Sequence, residues 1–470
     1  MALDNTHFGA EKISELLNGP KKLFFDGIGG VSMCSLARIS HLRGHEVSGY
    51  DRAKTATTER LESEGIKVFY EVDADHVKNC DVLIYTVAIP ADNPEYRAAM
   101  REGIPCISRA DYLGYLMSGY KYRIGISGMH GKSTTTSMAE AAFTAAGLDP
   151  TVSCGALMKD VGAAHRIGKE DYFIFEACEY MDSFLDFYPT MAVILNIEMD
   201  HVDYFHSMNQ IRESFGKFLD RTEGGISLVN CGDDDVMRAA ENFGGTLVTF
   251  GVDAPDADYS AMNIEFSSGC GSFDFCRDGE VLSRIELSVP GAHCICDALA
   301  AASAAHLCGA APSDIARGLH SFEGAARRMD DCGKALCGAE IYSDYAHHPT
   351  EIETTLKTAV SMGFNHVYAV FQPHTYSRTG ELFDDFARVL SESGVDRIVV
   401  APIYSARETN TYGVSAEALC DRVSKNGKKC RFIGQFSDIA DYMNSVAETG
   451  DAIIVMGAGD ITKVIPPLKG

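Results

Sequence analysis

The residues best suited to chemistry lie in one run, Gly128-Met129-His130-Gly131-Lys132-Ser133-Thr134, set between an apolar stretch and an alanine-rich one. Glycines let backbone N–H groups turn inward around a phosphate, and a following helix N-terminus adds partial positive charge. Lys132 supplies a full charge, and the Ser133 hydroxyl can ligate Mg²⁺. The strict phosphate-loop pattern wants glycine at position 126, which is Ile here, so the match is to a shorter G-x-x-G-K-S-T form. An ordinary strand-to-helix turn with a surface lysine is the bland alternative. Two glycines, Lys-Ser and a hydroxyl run at one junction outweigh it.

Acids follow two later apolar runs. Tyr172 to Phe175 leads into Glu176-Ala177-Cys178-Glu179, and Ala192 to Leu195 leads into Asn196-Ile197-Glu198-Met199-Asp200-His201-Val202-Asp203. Hard oxygen ligands at the carboxyl ends of parallel strands, beside a phosphate loop, suit Mg²⁺. Any one of these acids alone reads equally as a solvated loop residue or a helix cap. Nearer the start, Gly27-Ile28-Gly29-Gly30-Val31-Ser32 follows a strand, and Asp51 ends the next one. The third glycine of the dinucleotide pattern is Ser32, and Asp26 would oppose a diphosphate with its charge. A nucleotide-diphosphate site fits better than NAD. Towards the end lie Asp344-Tyr345-Ala346-His347-His348-Pro349, then Gln372-Pro373-His374-Thr375-Tyr376-Ser377-Arg378 and Gly457-Ala458-Gly459-Asp460.

The elements that must position these groups alternate between strand and helix, which predicts parallel sheets. Tyr122 to Ile126 reads as a strand and Ser137 to Phe143 as a helix. Ile264 to Phe275 and Val281 to Val289 read as antiparallel strands joined near Asp278-Gly279. Strands at Glu340–Tyr342, Val367–Phe371, Arg397–Ala401 and Ala452–Met456 make a second doubly wound set. The predicted class is α/β with three domains: residues 1–119, Rossmann-like; 120–324, a phosphate-loop domain with a small antiparallel sheet; and 325–470, Rossmann-like.

Size and charge agree. The 470 residues exceed one core, and 46% hydrophobic with 23% charged is ordinary for a globular chain. A net charge of −25 argues against nucleic acid and anionic membranes as partners. Anionic ligands must then be met by local cationic pockets. No apolar run approaches the ~20 residues of a membrane span, and Met1 to Asn18 has no signal-peptide core, so the cytoplasm is expected. The 15 cysteines show no framework of spacings and read as reduced, buried residues.

Taken together, the motifs resemble those of the Mur ligases, ATP-dependent amide-bond-forming enzymes of peptidoglycan precursor synthesis. The likeness runs from Gly27 to about Lys463. It rests on the two glycine loops, Ala88 to Pro94, Asn196 to His201, Ala326-Arg327-Arg328, Asp344 to Glu351, Phe371 to His374 and Gly457 to Asp460. It implies that the first domain holds a UDP-sugar, through Gly29, Gly30 and Asp51. It implies ATP on Gly128 to Thr134, Asn196, His293, Arg327 and Asp344, and metal on Ser133, Glu176 and His201. Lys132, Glu176, His201 and Arg327 would be catalytic, while His347, His348 and Arg378 would contact substrate. The implied substrates are UDP-N-acetylmuramate and L-alanine, on a monomer or homodimer with ATP and Mg²⁺. A peptide-attaching relative and a non-catalytic nucleotide sensor are the rival readings.

Three departures from the family pattern stand out. Cys178, Tyr180 and Met181 replace polar residues. Gly291-Ala-His-Cys-Ile-Cys-Asp297 carries Cys294 and Asp297 where the family has asparagines. Thr375 replaces an arginine.

Overall fold

The computed structural model describes residues 3–169, 171–201, 204–222, 224–406 and 408–470. The chain packs as two compact units. One comprises Met1–Asn196 with Arg212–Thr249, the other Ile197–Ile211 with Phe250–Gly470. The architecture is α/β with three domains, as the alternation predicts.

In the first unit, five parallel strands lie in the order Lys67–Phe69, Glu46–Tyr50, Lys22–Asp26, Val82–Tyr85, Cys106–Ser108. The strand order reverses at Lys22–Asp26, so the Gly27–Gly30 turn opens at the switch point, where ligands enter such sheets. A second set runs Ile226–Asn230, Met191–Ile194, Tyr122–Ser127, Tyr172–Glu176, Thr151–Met158, Ala163–Arg166. All of these pair in parallel except the last, which closes the edge antiparallel. Strands covered on both faces must be apolar throughout. Met191–Ile194 is buried along its whole length, and Phe173, Ile174 and Phe175 are 0% exposed.

Within this unit, the helix Val31–Leu42 packs on the Thr151–Met158 and Ala163–Arg166 edge. Arg38 Nη1 lies 2.5 Å from His165 Nε2, and Cys34 Sγ lies 3.7 Å from Nδ1. Burial, aided by Arg38, lowers His165 to about 4. The ring is therefore neutral and accepts from Arg38. The start of the chain is tied down too: Thr6 Oγ1, Phe8 N and Gly9 N all donate to the Asp111 carboxylate. That clamps the helix Arg109–Ser118.

In the second unit, antiparallel strands Tyr259–Ser267, Cys270–Arg277 and Glu280–Pro290 precede the helices His293–Leu307 and Pro312–Ser321. A six-stranded sheet follows, ordered Asp330–Lys334, Glu340–Asp344, Ala452–Met456, Val367–Phe371, Arg397–Val400, Cys430–Phe432. Only its first strand is antiparallel.

Two sequence expectations need correction. The helix expected from Ser137 begins at Lys132, because Gly131 takes a left-handed φ of 83° and starts it five residues earlier. The single strand expected over Ile264–Phe275 is two strands. They are broken where Ser268 and Gly269 both adopt positive φ.

The carboxyl end of the first strand holds an unusual group. Asp26 is 0% exposed, and neither carboxylate oxygen has a hydrogen bond among the described residues. Burial, reinforced by Glu95 and Asp51, pushes its pKa up to about 8. The folded protein thus keeps a proton on this carboxyl that the unfolded chain loses near the ordinary aspartate value of 3.8. Its stabilising contribution is complete below pH ~4 and drains as pH rises to about 8. Asp26→Asn should therefore gain on the parent by up to about 1.4 kcal/mol per pH unit across that window, and by nothing further above it. Melting curves of both proteins from pH 5 to 9 check this; a difference independent of pH would show that Asp26 is ionised throughout.

Candidate active site

The phosphate-type loop stands at the second switch point. Register alone sets its neighbours: Ile126 pairs with Glu176, and Ser127 with Ile194. Three strand ends therefore meet at one edge. The side chain of Lys132 curls back onto its own loop, donating to Gly128 O and Met129 O. Its Nζ also lies 3.0 Å from Glu179 Oε2. Burial alone would lower this lysine's pKa, but the Glu179 carboxylate, with Cys178 and Glu176, raises it instead. The cation is locked in.

Ser133 Oγ donates to Glu176 Oε2 (2.9 Å), and Gly155 N donates to the same oxygen (2.7 Å). Gly155 is needed there, because a Cβ would sit 2.7 Å from that oxygen and 2.8 Å from the other. A hydroxyl and a carboxylate meeting in this way are a hard-oxygen pair of the kind Mg²⁺ takes. The residues fit the ion, and Ser133 and Glu176 are the ones that would hold it.

Asn196, expected as a nucleotide contact, is engaged by the loop itself. Its side-chain amide accepts from His130 N (2.9 Å) and donates to His130 O (3.0 Å), while Met129 N donates to the Asn196 backbone carbonyl. The side chain braces the loop. Met129 and Thr134 are buried within that frame.

At the first switch point, Asp51 Oδ2 accepts from Gly29 N (2.9 Å), and the N–H groups of Gly27 and Ile28 donate to Tyr50 O. Gly30 N donates to Gly27 O and Gly30 starts the helix Val31–Leu42, which carries no side-chain cap bond. The turn's own N–H groups are spent on its shape, so an anion would meet the open first turn of that helix. The repulsion expected from Asp26 is removed by its retained proton below about pH 8.

The remaining predicted residues belong to the second unit. Arg327 (φ 59°) donates through Nη2 to Gly457 O and Gly459 O, and its guanidinium lies 4.7 Å from the Tyr345 ring centroid. Its Nε is buried with no hydrogen bond among the described residues. Asp344 accepts from Met329 N (2.7 Å) and Ala346 N (2.8 Å), tying the segment before its strand to the turn after it. His348 caps the helix Pro349–Ser361 and is 4% exposed, while His347 Nδ1 lies 3.1 Å from Glu351. Both histidines therefore have structural partners. His201 (φ 51°) donates its N–H to Asp200 Oδ1, and Arg378 Nη2 lies 3.2 Å from that carboxylate. Burial would raise Asp200, but Arg378, with His201 and His348, holds it well below the usual carboxylate range. His293 starts the helix His293–Leu307 beside a cavity of about 570 Å³ that Phe266, Gly269, Thr354 and Lys357 help to line. Asp203 lies outside the described residues.

The sequence read Glu179 only as part of an acidic run suited to Mg²⁺, whereas its carboxylate lies against Lys132; Gly155 was given no role. Glu179 had a signal, an acid three residues beyond Glu176; Gly155 had none. Because Glu179 is the main counter-charge of Lys132, Glu179→Gln should leave a buried cation uncompensated and cost about 3 kcal/mol. MgATP should stabilise that variant more than the parent, since phosphates supply the missing charge. Thermal melting with and without nucleotide checks both; a variant as stable as the parent would refute the pairing.

Comparison with known proteins gives the family. Family models match along the chain: the Mur ligase family catalytic domain over residues 24–121, the Mur ligase middle domain over 126–305, and the Mur ligase glutamate ligase domain over 327–459. A UDP-N-acetylmuramate–L-alanine ligase of Clostridium acetobutylicum is 44% identical over 446 residues, covering 94% of this chain and 96% of that one. The enzyme of the same name from Lachnospira eligens is 41% identical over 450 residues, covering 95% and 97%. Among solved structures, a UDP-N-acetylmuramate–alanine ligase of Thermotoga maritima superposes with a TM-score of 0.80 at 25% identity, covering 95% of this chain and 98% of that one. The chain belongs to the Mur ligase family.

Proposed function

We propose that this protein joins L-alanine to the carboxylate of UDP-N-acetylmuramate at the expense of ATP. The observation that carries the reading is the edge where Lys132, Ser133 and Glu176 converge, in a chain similar over nearly its whole length to ligases of that name. The proposed division of labour follows the domains: residues 1–119 for the UDP-sugar, 120–324 for ATP, and 325–470 for the amino acid.

The γ-phosphoryl group of ATP passes to the muramoyl carboxylate, giving an acyl phosphate. The amine of L-alanine then attacks that carbonyl, and phosphate leaves. Negative charge grows on phosphoryl oxygens in the first step, so the role of Lys132 is to leave Glu179 and meet the β- and γ-phosphates. Ser133 and Glu176, with His201 as a further candidate, would hold Mg²⁺, which would supply additional positive charge against the oxyanions when bound. Asn196 keeps the loop backbone in its phosphate-binding shape. The Arg327 Nε, which has no hydrogen bond among the described residues, suits an anionic oxygen of the nucleotide, and Arg378 suits the carboxylate of the amino acid.

The deciding assay is phosphate release that depends on both ATP and UDP-N-acetylmuramate, screened across L-alanine, glycine, L-serine and a tripeptide. Preference for the tripeptide would move the protein to the peptide-attaching branch, and silence with all four would leave a nucleotide sensor. Lys132→Ala should lower turnover at least ~10²-fold while UDP-N-acetylmuramate affinity stays within a few-fold. Near-normal turnover would remove the loop from the reaction. Glu176→Gln should fold normally and raise the Mg²⁺ concentration for half-maximal activity; an unchanged titration would make Glu176 structural.

A further inference from the structure

The helix Arg109–Ser118 opens on an arginine that no motif singled out. Its Nη1 donates to Ser32 Oγ at 3.3 Å. Ser32 is the second residue of the helix that follows the Gly27–Gly30 turn, and it occupies the position of the missing third glycine. The guanidinium lies deep among protein atoms, while the side chain keeps part of its surface open. Burial lowers its pKa, against smaller opposing effects of Cys178, Asp186 and Glu176.

Buried guanidinium groups are normally paired with carboxylates. This one makes no ion pair among the described residues and engages a single neutral hydroxyl. Its remaining donors form a planar fork that matches two oxygens of a phosphate or carboxylate. Its position is also specific. Ser32 ties it to the helix N-terminus where a diphosphate would lie, and the field of Glu176 reaches it from the metal-binding edge. Ser108 caps the helix and the N-terminal arm grips Asp111, so the arginine stands on a fixed base.

We propose that Arg109 binds an oxyanion of the nucleotide-sugar substrate, either its diphosphate or its muramoyl carboxylate, and so holds that substrate between the Gly27–Gly30 turn and Glu176. The proposal rests on the UDP-sugar reading of the first domain. It also gives Ser32 a purpose, since a glycine there would offer the guanidinium nothing.

The test is titration calorimetry of the full-length protein with UDP-N-acetylmuramate and with UDP-N-acetylglucosamine, which keeps the diphosphate but lacks the carboxylate. Arg109→Gln should weaken UDP-N-acetylmuramate at least ~10-fold, the scale of a lost charge-assisted hydrogen bond. An ATP analogue should bind it as it binds the parent. Equal weakening of both sugars identifies the diphosphate; weakening confined to the muramate identifies the carboxylate. Arg109→Lys, a point charge without the fork, should recover part of the loss and serves where the Gln variant does not fold. Ser32→Ala should cost a few-fold. Binding of UDP-N-acetylmuramate within twofold of the parent in either Arg109 variant overturns the proposal while leaving the UDP-sugar reading in place. A parent that binds neither sugar overturns both.

Discussion

The candidate site depends on the register of parallel strands. Tyr122–Ser127 lies between Tyr172–Glu176 and Met191–Ile194, with Ile126 opposite Glu176 and Ser127 opposite Ile194. A slip of one residue would turn Glu176 to the other face of the sheet and away from Ser133. The register is held by buried side chains, among them Phe173, Phe175, Val193 and Ile126, whose apolar faces tolerate no shift. Packing therefore places the Glu176 carboxylate against the loop hydroxyl.

Buried charge is balanced within each region. Lys132 is compensated by Glu179 and by its own loop carbonyls. Asp200 is compensated by Arg378. Asp26 is buried without hydrogen bonds and keeps its proton instead. Arg109 departs from this pattern, having neither a carboxylate partner among the described residues nor a way to become neutral. In a chain of net charge −25, such local cations are the means of attracting anionic ligands.

Several side chains expected to touch ligands also hold nearby backbone in place. Asn196 braces the phosphate loop, Asp51 folds the Gly27–Gly30 turn, Asp344 holds the backbone at Met329 and Ala346, and His348 caps a helix. The pattern has a common cause. Polar groups near a turn find unpaired N–H groups within a few residues, and satisfying them is less costly than facing water across a cleft.

The sequence by itself determined the class and the chemistry of the loops. Apolar runs of strand length alternating with helical stretches required parallel sheets, and Gly128 to Thr134 required a phosphate-type turn. Both signals are local, because periodicity and glycine placement act within one element. It could not show that the helix begins at Lys132, since only the left-handed φ at Gly131 permits that start. Nor could it separate two strands at Ser268-Gly269, where residues of ordinary strand composition flank the break. Contacts between distant residues were decided only by the tertiary structure: Glu179 on Lys132, Gly155 against Glu176, and Arg109 on Ser32. These pairs are 47, 21 and 77 residues apart. No local propensity encodes such distances, because they are fixed by which strands neighbour one another and in what register.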